Sequence, residues 1–253
     1  MLNIHNLRLS FGDNEVLKGV DLSIDKGDVV TFIGPSGTGK TTILKCINYL
    51  VKPDEGEIDI ADLHFNYKTI KKKDILKLRR KTAMVFQHFN IFKTKTVIQN
   101  VMDAQMVVQK KSKKEAYEKS IEEIRRVGLL DKENEYPSKL SGGQLQRVGI
   151  ARALAVEPEV ILFDEPTSSL DPELVGEVLN VIEDVAKSGM TILLVTHEMD
   201  FAKKISNKVV FMDQGKVVEE GSPLQIFENS THKRTRQFLK SFYEDTENFE
   251  KSI

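Results

Sequence analysis

Two segments near the start of the chain alternate apolar and polar residues as a half-buried β-strand does. Leu7, Leu9 and Phe11 are separated by polar residues, and apolar residues at 20, 22 and 24 alternate with acidic or hydroxyl side chains. A strand with one apolar and one polar face is typical of an antiparallel sheet that has one face in water. The pattern therefore predicts an antiparallel β edge.

Three later segments are largely continuous apolar runs, and a helical pattern follows each of them. They are VVTFIG at 29–34, VILFD at 160–164 and TILLVTH at 191–197. Strands that are buried on both faces and alternate with helices indicate a parallel sheet covered by helices. These runs predict an α/β core.

The region between the first two of these core strands contains a long stretch with only helical patterns, from about 96 to 155. Its clearest amphipathic face consists of Tyr117, Ile121, Ile124 and Val127. Two short helical patterns follow Gly221. The sequence thus predicts an α/β fold with a mainly parallel sheet, an antiparallel β edge subdomain and an inserted helical subdomain. We expect a single domain over 2–242, followed by a short polar tail over 243–253.

Composition narrows the class of protein. The 253 residues include 40% hydrophobic and 30% charged side chains, with a net charge of −1, which is ordinary for a globular protein and gives no case for nucleic-acid binding. The lysine clusters at 71–73 and 109–119 are interpreted as solvated helix faces. The single cysteine, Cys46, lies in an apolar run and excludes an internal disulfide. No apolar run approaches the roughly 18 residues of a membrane span, and the N-terminus lacks a signal-peptide pattern.

A phosphate-binding loop follows the first core strand. Residues 34–41 have the order G-x-x-x-x-G-K-T, between an apolar strand and a helix, as a P-loop requires. Glycines let backbone amides turn toward phosphate oxygens. We expect the Lys40 side chain to reach the β- and γ-phosphates and the Thr41 hydroxyl to bind Mg²⁺. The candidate nucleotide-binding residues are Gly34, Pro35, Ser36, Gly37, Thr38, Gly39, Lys40, Thr41 and Thr42.

Two adjacent carboxylates end the second core strand. Asp164 is a candidate for holding Mg²⁺, and Glu165 follows it directly. Because neighbouring residues on a strand point to opposite sides, we expect the two carboxylates to have different roles. One would anchor the metal ion, and the other would activate a water molecule aimed at the γ-phosphate.

Polar side chains also follow two other predicted strands. His197 ends the TILLVTH run, and Gln87 ends the run AMVFQ. Since the carboxyl ends of parallel strands meet at the ligand crevice, we expect His197 to contact the γ-phosphate. Gln87 would orient water or contact Mg²⁺, although a loop glutamine without a role would give the same pattern.

The stretch LSGGQLQRVGIARAL at 140–154 predicts a second anion-binding helix end. Ser141 is a plausible N-cap, and the exposed amides at a helix N-terminus attract anions. The stretch has no lysine for a phosphate and no carboxylate for a metal ion. It is therefore incomplete as a phosphate site.

Six motifs together resemble the ATP-binding subunits of ABC transporters over nearly the whole chain. The P-loop is similar to their Walker A motif, VILFDE to Walker B and LSGGQ to the signature. Gln87 is similar to the Q-loop glutamine, SSLD at 168–171 to the D-loop and His197 to the switch histidine. The motifs also follow the family's order.

The resemblance implies a homodimer in which two chains enclose two ATP molecules head to tail. The signature helix of one chain would cap the ATP and Mg²⁺ held on the P-loop of the other, which explains why this stretch is incomplete alone. The contacts would come from Ser141, Gly142, Gly143 and Gln144. Phe11 falls where the family places an aromatic side chain that stacks on adenine, although a phenylalanine at a strand end is also typical of a core.

A finer resemblance is to the subgroup that serves polar amino acid importers, carried by MVFQHFNIF, YPSKLSGGQ, VTHEMDFA and VVFMDQGKVVEEG. It implies membrane-spanning permease subunits, an extracytoplasmic solute-binding protein and a peripheral position on the cytoplasmic face of the membrane. Leu145 and Gly149 depart from the subgroup's usual glutamine and alanine. Because glycine inside a helix costs about 1 kcal/mol relative to alanine, we expect packing around Gly149 to favour a small residue.

Other functional classes fit the sequence less well. A DNA-repair or chromosome-structuring ATPase would insert sustained heptads between the Walker motifs, and a translation-associated ABC protein usually carries two cassettes. A kinase-type P-loop enzyme would not need LSGGQ. An importer of another small solute and an exporter subunit both stay open.

Overall fold

Ten strands form two sheets in the computed structural model, which describes the backbone of residues 1–250 and the side chains of residues 1–244. The strands are β1 (Leu2–Phe11), β2 (Asn14–Ile24), β3 (Val29–Ile33), β4 (Glu55–Ile60), β5 (Leu63–Asn66), β6 (Thr82–Val85), β7 (Val160–Asp164), β8 (Thr191–Val195), β9 (Lys208–Asp213) and β10 (Lys216–Gly221). The smaller sheet has the order β2-β1-β4-β5 and is antiparallel throughout. The antiparallel edge predicted from the alternating residues is confirmed.

The larger sheet has the order β10-β9-β3-β8-β7-β6. The five strands from β9 to β6 in this order are parallel to their neighbours. Strand β10 pairs with β9 as an antiparallel edge strand. Every residue of β3, β7 and β8 is buried, which explains their continuous apolar sequences. The parallel core predicted from these runs is confirmed, and its strands end along one edge.

Nine α-helices complete the described part of the chain: α1 (Lys40–Ile47), α2 (Lys72–Lys81), α3 (Val97–Val107), α4 (Lys113–Arg126), α5 (Gly142–Ala155), α6 (Pro172–Lys187), α7 (Met199–Ile205), α8 (Pro223–Phe227) and α9 (Lys233–Glu250). Short 3₁₀ turns at Leu130–Lys132 and Pro137–Lys139 separate α4 from α5. Helices α3 to α5 therefore occupy the range that shows only helical patterns in the sequence. Among the described residues, no helix combines the length and apolar character that crossing a bilayer requires.

Apolar residues fill both faces of the larger sheet. On one face, Phe32 and α1 residue Leu44 pack with the smaller sheet, where Ile4 is fully buried. On the other face, Phe163 packs with the inserted helices and α6. Packing on both faces of the sheet holds α1 and β7 in place. The P-loop precedes α1 and the carboxylates of Asp164 and Glu165 lie at the end of β7, so the same packing positions them.

The second helical pattern after Gly221 is longer than the sequence predicts. Helix α9 has 18 residues and is anchored to the core by its first half, where Leu239 is buried and the Phe238 ring lies 5.4 Å from that of Phe211. It takes in residues 243–250 of the segment that we expected to be a polar tail. Residues 251–253 lie outside the described residues.

Gly149 lies inside α5 and is buried, as a position selected for a small residue would be. However, a Cβ atom built there would lie 3.7 Å from the Phe89 carbonyl oxygen, an ordinary van der Waals distance. An alanine side chain would fit at 149 without displacing its neighbours. The packing therefore does not explain why this chain has glycine where the subgroup usually has alanine.

Candidate active site

The P-loop joins β3 to α1 and depends on glycine at both of its ends. Gly34 has φ +137°, and a Cβ atom there would lie 2.1 Å from the Met212 carbonyl oxygen. Gly39 has φ +101°, and its Cβ would lie 2.7 Å from Leu17 in β2. These conformations and contacts exclude a side chain. The loop can therefore turn tightly against both sheets.

The Lys40 ammonium group lies under this loop. It donates hydrogen bonds of 2.7 Å to each of the carbonyl oxygens of Gly34 and Pro35, and the residue is only 6% exposed. Burial lowers the pKa of Lys40, and the nearby Glu165 carboxylate opposes that shift. The depression beside the ammonium group is lined by Ser36, Gly37, Gly39, Lys40, Thr41, Thr42 and Glu165. The P-loop and the predicted base are thus brought to one site.

Thr41 and Asp164 face each other where α1 meets β7. The Thr41 hydroxyl donates to Asp164 Oδ1 at 2.5 Å, and burial raises the pKa of the Asp164 carboxyl. Among residues 1–244, no group of three or more His, Cys, Asp or Glu side chains could hold a metal ion. A hydroxyl and a carboxylate oxygen nevertheless fit Mg²⁺, which usually keeps water and substrate phosphates as its other ligands.

Glu165 does not continue the strand, contrary to the sequence-based expectation of alternating side chains. Strand β7 ends at Asp164, and Glu165 has φ +47° with its amide donating to the Val195 carbonyl oxygen at 2.9 Å. The left-handed turn removes the alternation of side chains that a strand imposes. The different surroundings of the two carboxylates come from this turn.

The Glu165 carboxylate is held between two side chains. Its Oε2 accepts a hydrogen bond of 2.8 Å from Ser168 Oγ, and its Oε1 lies 3.3 Å from His197 Nε2. His197 follows the end of β8 and its side chain is 46% exposed. The structure therefore brings His197 to the acidic pair, at the edge where the parallel strands end.

Gln87 lies beyond β6 on the same edge and is half-buried. Its backbone carbonyl oxygen accepts a hydrogen bond of 2.6 Å from Ser169 Oγ, whereas its side-chain amide forms no hydrogen bond within residues 1–244. Within residues 1–244 the amide forms no hydrogen bond to Thr41 or Asp164, and Gln87 does not line the P-loop depression.

Ser141 caps α5, as predicted, and forms a reciprocal capping box. Its hydroxyl accepts from the Gln144 amide at 3.3 Å, and its own amide donates to the Gln144 side chain at 3.0 Å. Gly142 and Gly143 pack close to Leu170 and Leu174, which explains the small residues there. None of residues 141–144 lines the depression at the P-loop. Within one chain, the structure does not bring the two phosphate-binding motifs together.

Phe11 ends β1 and is 55% exposed, so it is not a core residue. The hairpin that carries it is in contact with the P-loop, because Val16 and Leu17 of β2 lie against Gly39. The exposed ring therefore lies on a hairpin that contacts the phosphate-binding loop.

Comparison with known proteins agrees with this arrangement. Residues 17–168 match the family model described as ABC transporter. The chain belongs to the ABC transporter family. It is 55% identical over 240 residues to the L-cystine import ATP-binding protein TcyN of Bacillus subtilis (strain 168), with 95% of this chain and 93% of that protein covered. It is 50% identical over 240 residues to the arginine transport ATP-binding protein ArtM of the same organism, with 95% and 99% covered.

Solved structures of the family share the fold. A dimeric structure of the ATP-binding cassette MJ0796 in a post-hydrolysis state, bound to ADP and Pi, superimposes with a TM-score of 0.77 at 32% identity. The alignment covers 88% of this chain and 99% of that one. The α/β ABC ATPase fold and the family resemblance predicted from the motifs are both confirmed.

Sequence reasoning missed the role of two neighbouring serines in this ABC protein. The sequence identifies Ser168 and Ser169 only as part of the D-loop. In the structure, the Ser168 hydroxyl bonds to the Glu165 carboxylate and the Ser169 hydroxyl to the Gln87 carbonyl oxygen. A serine three residues after a predicted base is a usable signal for the first contact, because a turn brings i and i+3 together. No local pattern indicates the second.

Proposed function

We propose that this protein is the ATP-hydrolysing subunit of an ABC importer, and that it drives the import of a polar amino acid. The proposal is carried by the position of the Glu165 carboxylate. This carboxylate lines the P-loop depression and contacts both Ser168 and His197. A carboxylate placed so beside a buried lysine has the position of a general base for water attacking a bound phosphate.

The P-loop amides and Lys40 would hold the phosphates, with the ammonium group retaining one donor beyond its two carbonyl partners. Thr41, Asp164 and Gln87 would hold Mg²⁺, which neutralises phosphate charge when bound. Glu165 would accept the proton of the attacking water, and His197 would donate to the γ-phosphate. Each group acts at the carboxyl edge of the parallel sheet.

A second copy of the chain would complete the site. Neither Ser141 nor Gly143 lines the chain's own P-loop depression, and the N-terminus of α5 that they form favours an anion. The dimeric form of the cassette MJ0796 bound to ADP and Pi supports the same arrangement here. In a twofold homodimer, each α5 would close the partner's ATP site.

The transport assignment rests on the relatives. Their names specify cystine import and arginine transport at similar identity, which supports amino acid import without selecting one amino acid. We propose membrane-spanning permease subunits, an extracytoplasmic solute-binding protein and a peripheral position on the cytoplasmic membrane face. Residues 2–242 would form the ATPase domain, with 243–253 as a polar terminal segment.

Isolation of the native complex tests this function. The protein, purified from its own membranes, should bring with it a permease and, after reconstitution in vesicles with a solute-binding protein, support ATP-dependent uptake of a polar amino acid. The Lys40→Ala variant should assemble and give no uptake. Uptake of a different class of solute, or export, would replace the amino acid assignment by one of the alternatives.

Replacement of Phe11 by alanine should weaken nucleotide binding without abolishing it. Loss of one stacking contact should reduce the affinity for ATP by about 1 kcal/mol, and GTP should weaken equally because stacking contacts the ring face. Titration calorimetry of the isolated subunit measures both. Phe92→Ala, which removes another exposed ring, is the control. Unchanged ATP affinity in Phe11→Ala would assign the adenine contact to a different residue.

A further inference from the structure

The loop that carries Gln87 is held by hydrogen bonds to its backbone from outside the loop. We call residues 86–90 the Q-loop segment. The Phe86 carbonyl oxygen accepts from Gln146 Nε2 at 3.1 Å, and the Asn90 carbonyl oxygen accepts from Arg152 at 2.7 Å. Ser169 Oγ donates to the Gln87 carbonyl oxygen at 2.6 Å. Three side chains thus hold a segment of five residues by its carbonyl groups.

These donors come from two segments that also contain proposed site residues. Gln146 and Arg152 belong to α5, the helix whose first turn contains the signature. Ser169 directly follows Ser168, whose hydroxyl bonds to the Glu165 carboxylate. The position of Gln87 is therefore tied at the same time to the signature helix and to the general base.

Gln146 is an unusual choice for a purely structural position. It is fully buried, and its Oε1 has no hydrogen-bond partner within residues 1–244. A buried amide oxygen without a donor destabilises the folded state, and an apolar side chain of similar size would avoid that cost. What the amide does provide is a donor to the backbone next to Gln87.

We infer that Gln146, Ser169 and Arg152 are positioning residues that fix Gln87 relative to the signature helix and Glu165. None of the three lines the P-loop depression. They act through Gln87, whose side-chain amide forms no hydrogen bond of its own within residues 1–244. The inference rests on the proposed ATPase function, because Gln87 has a role only in that reaction.

A double-mutant cycle with Gln87 tests the inference. Gln146→Met and Ser169→Ala, each in the otherwise unchanged protein, should lower kcat for ATP hydrolysis by about tenfold, as a small misplacement of an active-site group does. KM for ATP should stay within about twofold, because the P-loop is untouched. In the Gln87→Ala background the same changes should lower kcat by less than about twofold, since the group they position is gone.

Two further variants separate positioning from folding. Ser169→Thr retains the hydroxyl at an exposed position and should restore kcat. Gln105→Met is the matched control: Gln105 is also fully buried with an unpartnered Oε1, but its amide donates to Ser120 in the helical subdomain. Its kcat should equal that of the parent, and its effect should not depend on Gln87.

Three results would overturn the inference. One is equal loss of kcat from Gln146→Met and Ser169→Ala in both backgrounds, which would indicate a structural role. Another is normal hydrolysis by Gln87→Ala, which removes the group through which they act. The third is a loss in Gln105→Met that matches Gln146→Met. Failure of the proposed function is distinct, because the unsubstituted protein would then not hydrolyse ATP at all.

Discussion

Glu165→Gln should bind ATP with the affinity of the parent protein and lose hydrolysis by about 10²-fold or more, the usual effect of removing a general base. The amide has the shape of the carboxylate and its oxygen still accepts from Ser168, but it cannot take a proton from water. Binding is therefore retained while the chemical step fails. Single-turnover hydrolysis and nucleotide titration measure the two effects separately.

The same variant should accumulate as an ATP-bound dimer, because hydrolysis is the step that opens the proposed sandwich. Size-exclusion chromatography with ATP shows this directly. Glu118→Gln is the control, since Glu118 lies on the exposed face of α4 and, within residues 1–244, forms an ion pair only with Lys114. Near-normal ATPase activity in Glu165→Gln would end the assignment of Glu165 as the base.

Local patterns predicted those parts of the fold in which neighbours along the chain determine the structure. The fully buried strands, the P-loop glycines and the Ser141 cap each follow from residue spacing, because the physical cause lies within a few positions. Gly34 and Gly39 illustrate this, because the motif alone indicated backbone turns that only glycine adopts readily, and the two residues have φ +137° and φ +101°.

The failures have a different cause. The side-chain alternation predicted for Asp164 and Glu165 stops at the strand end, because Glu165 adopts a left-handed backbone with φ +47°. Helix α9 contacts the core through Phe238 and Phe211, which are far apart in the sequence. Contacts between residues far apart in sequence leave no periodic signal, so no pattern indicated that Gln146 donates to Phe86.

Ser141→Arg and Lys40→Ala should each abolish ATP-dependent dimerisation alone and restore it when the two variants are mixed. Lys40→Ala removes the charged phosphate contact of its own chain, and Ser141→Arg blocks the helix end that would face the partner's phosphate. A mixed dimer contains one site with both lesions. Its other site takes the P-loop from the Ser141→Arg chain and the signature from the Lys40→Ala chain, and is intact.

Dimer formation with ATP is the primary measurement, by light scattering of each variant and of an equal mixture. It does not require the two sites to hydrolyse independently, whereas recovery of ATPase activity does. Ser112→Arg controls for the lost cap, because Ser112 caps α4 with the same reciprocal box. Each cap contributes on the order of 1 kcal/mol, so a defect confined to Ser141→Arg cannot come from fraying of a helix.

The outcome decides where the signature acts. If it served its own chain, each site would lie within one chain, and every site in the mixture would carry either the Lys40→Ala or the Ser141→Arg lesion. Mixing would then restore nothing. If Ser141→Arg alone dimerises as the parent does, the end of α5 does not bind a partner's nucleotide. Restoration only in the mixture requires that the two motifs meet across the dimer, because no single variant chain carries both of them intact.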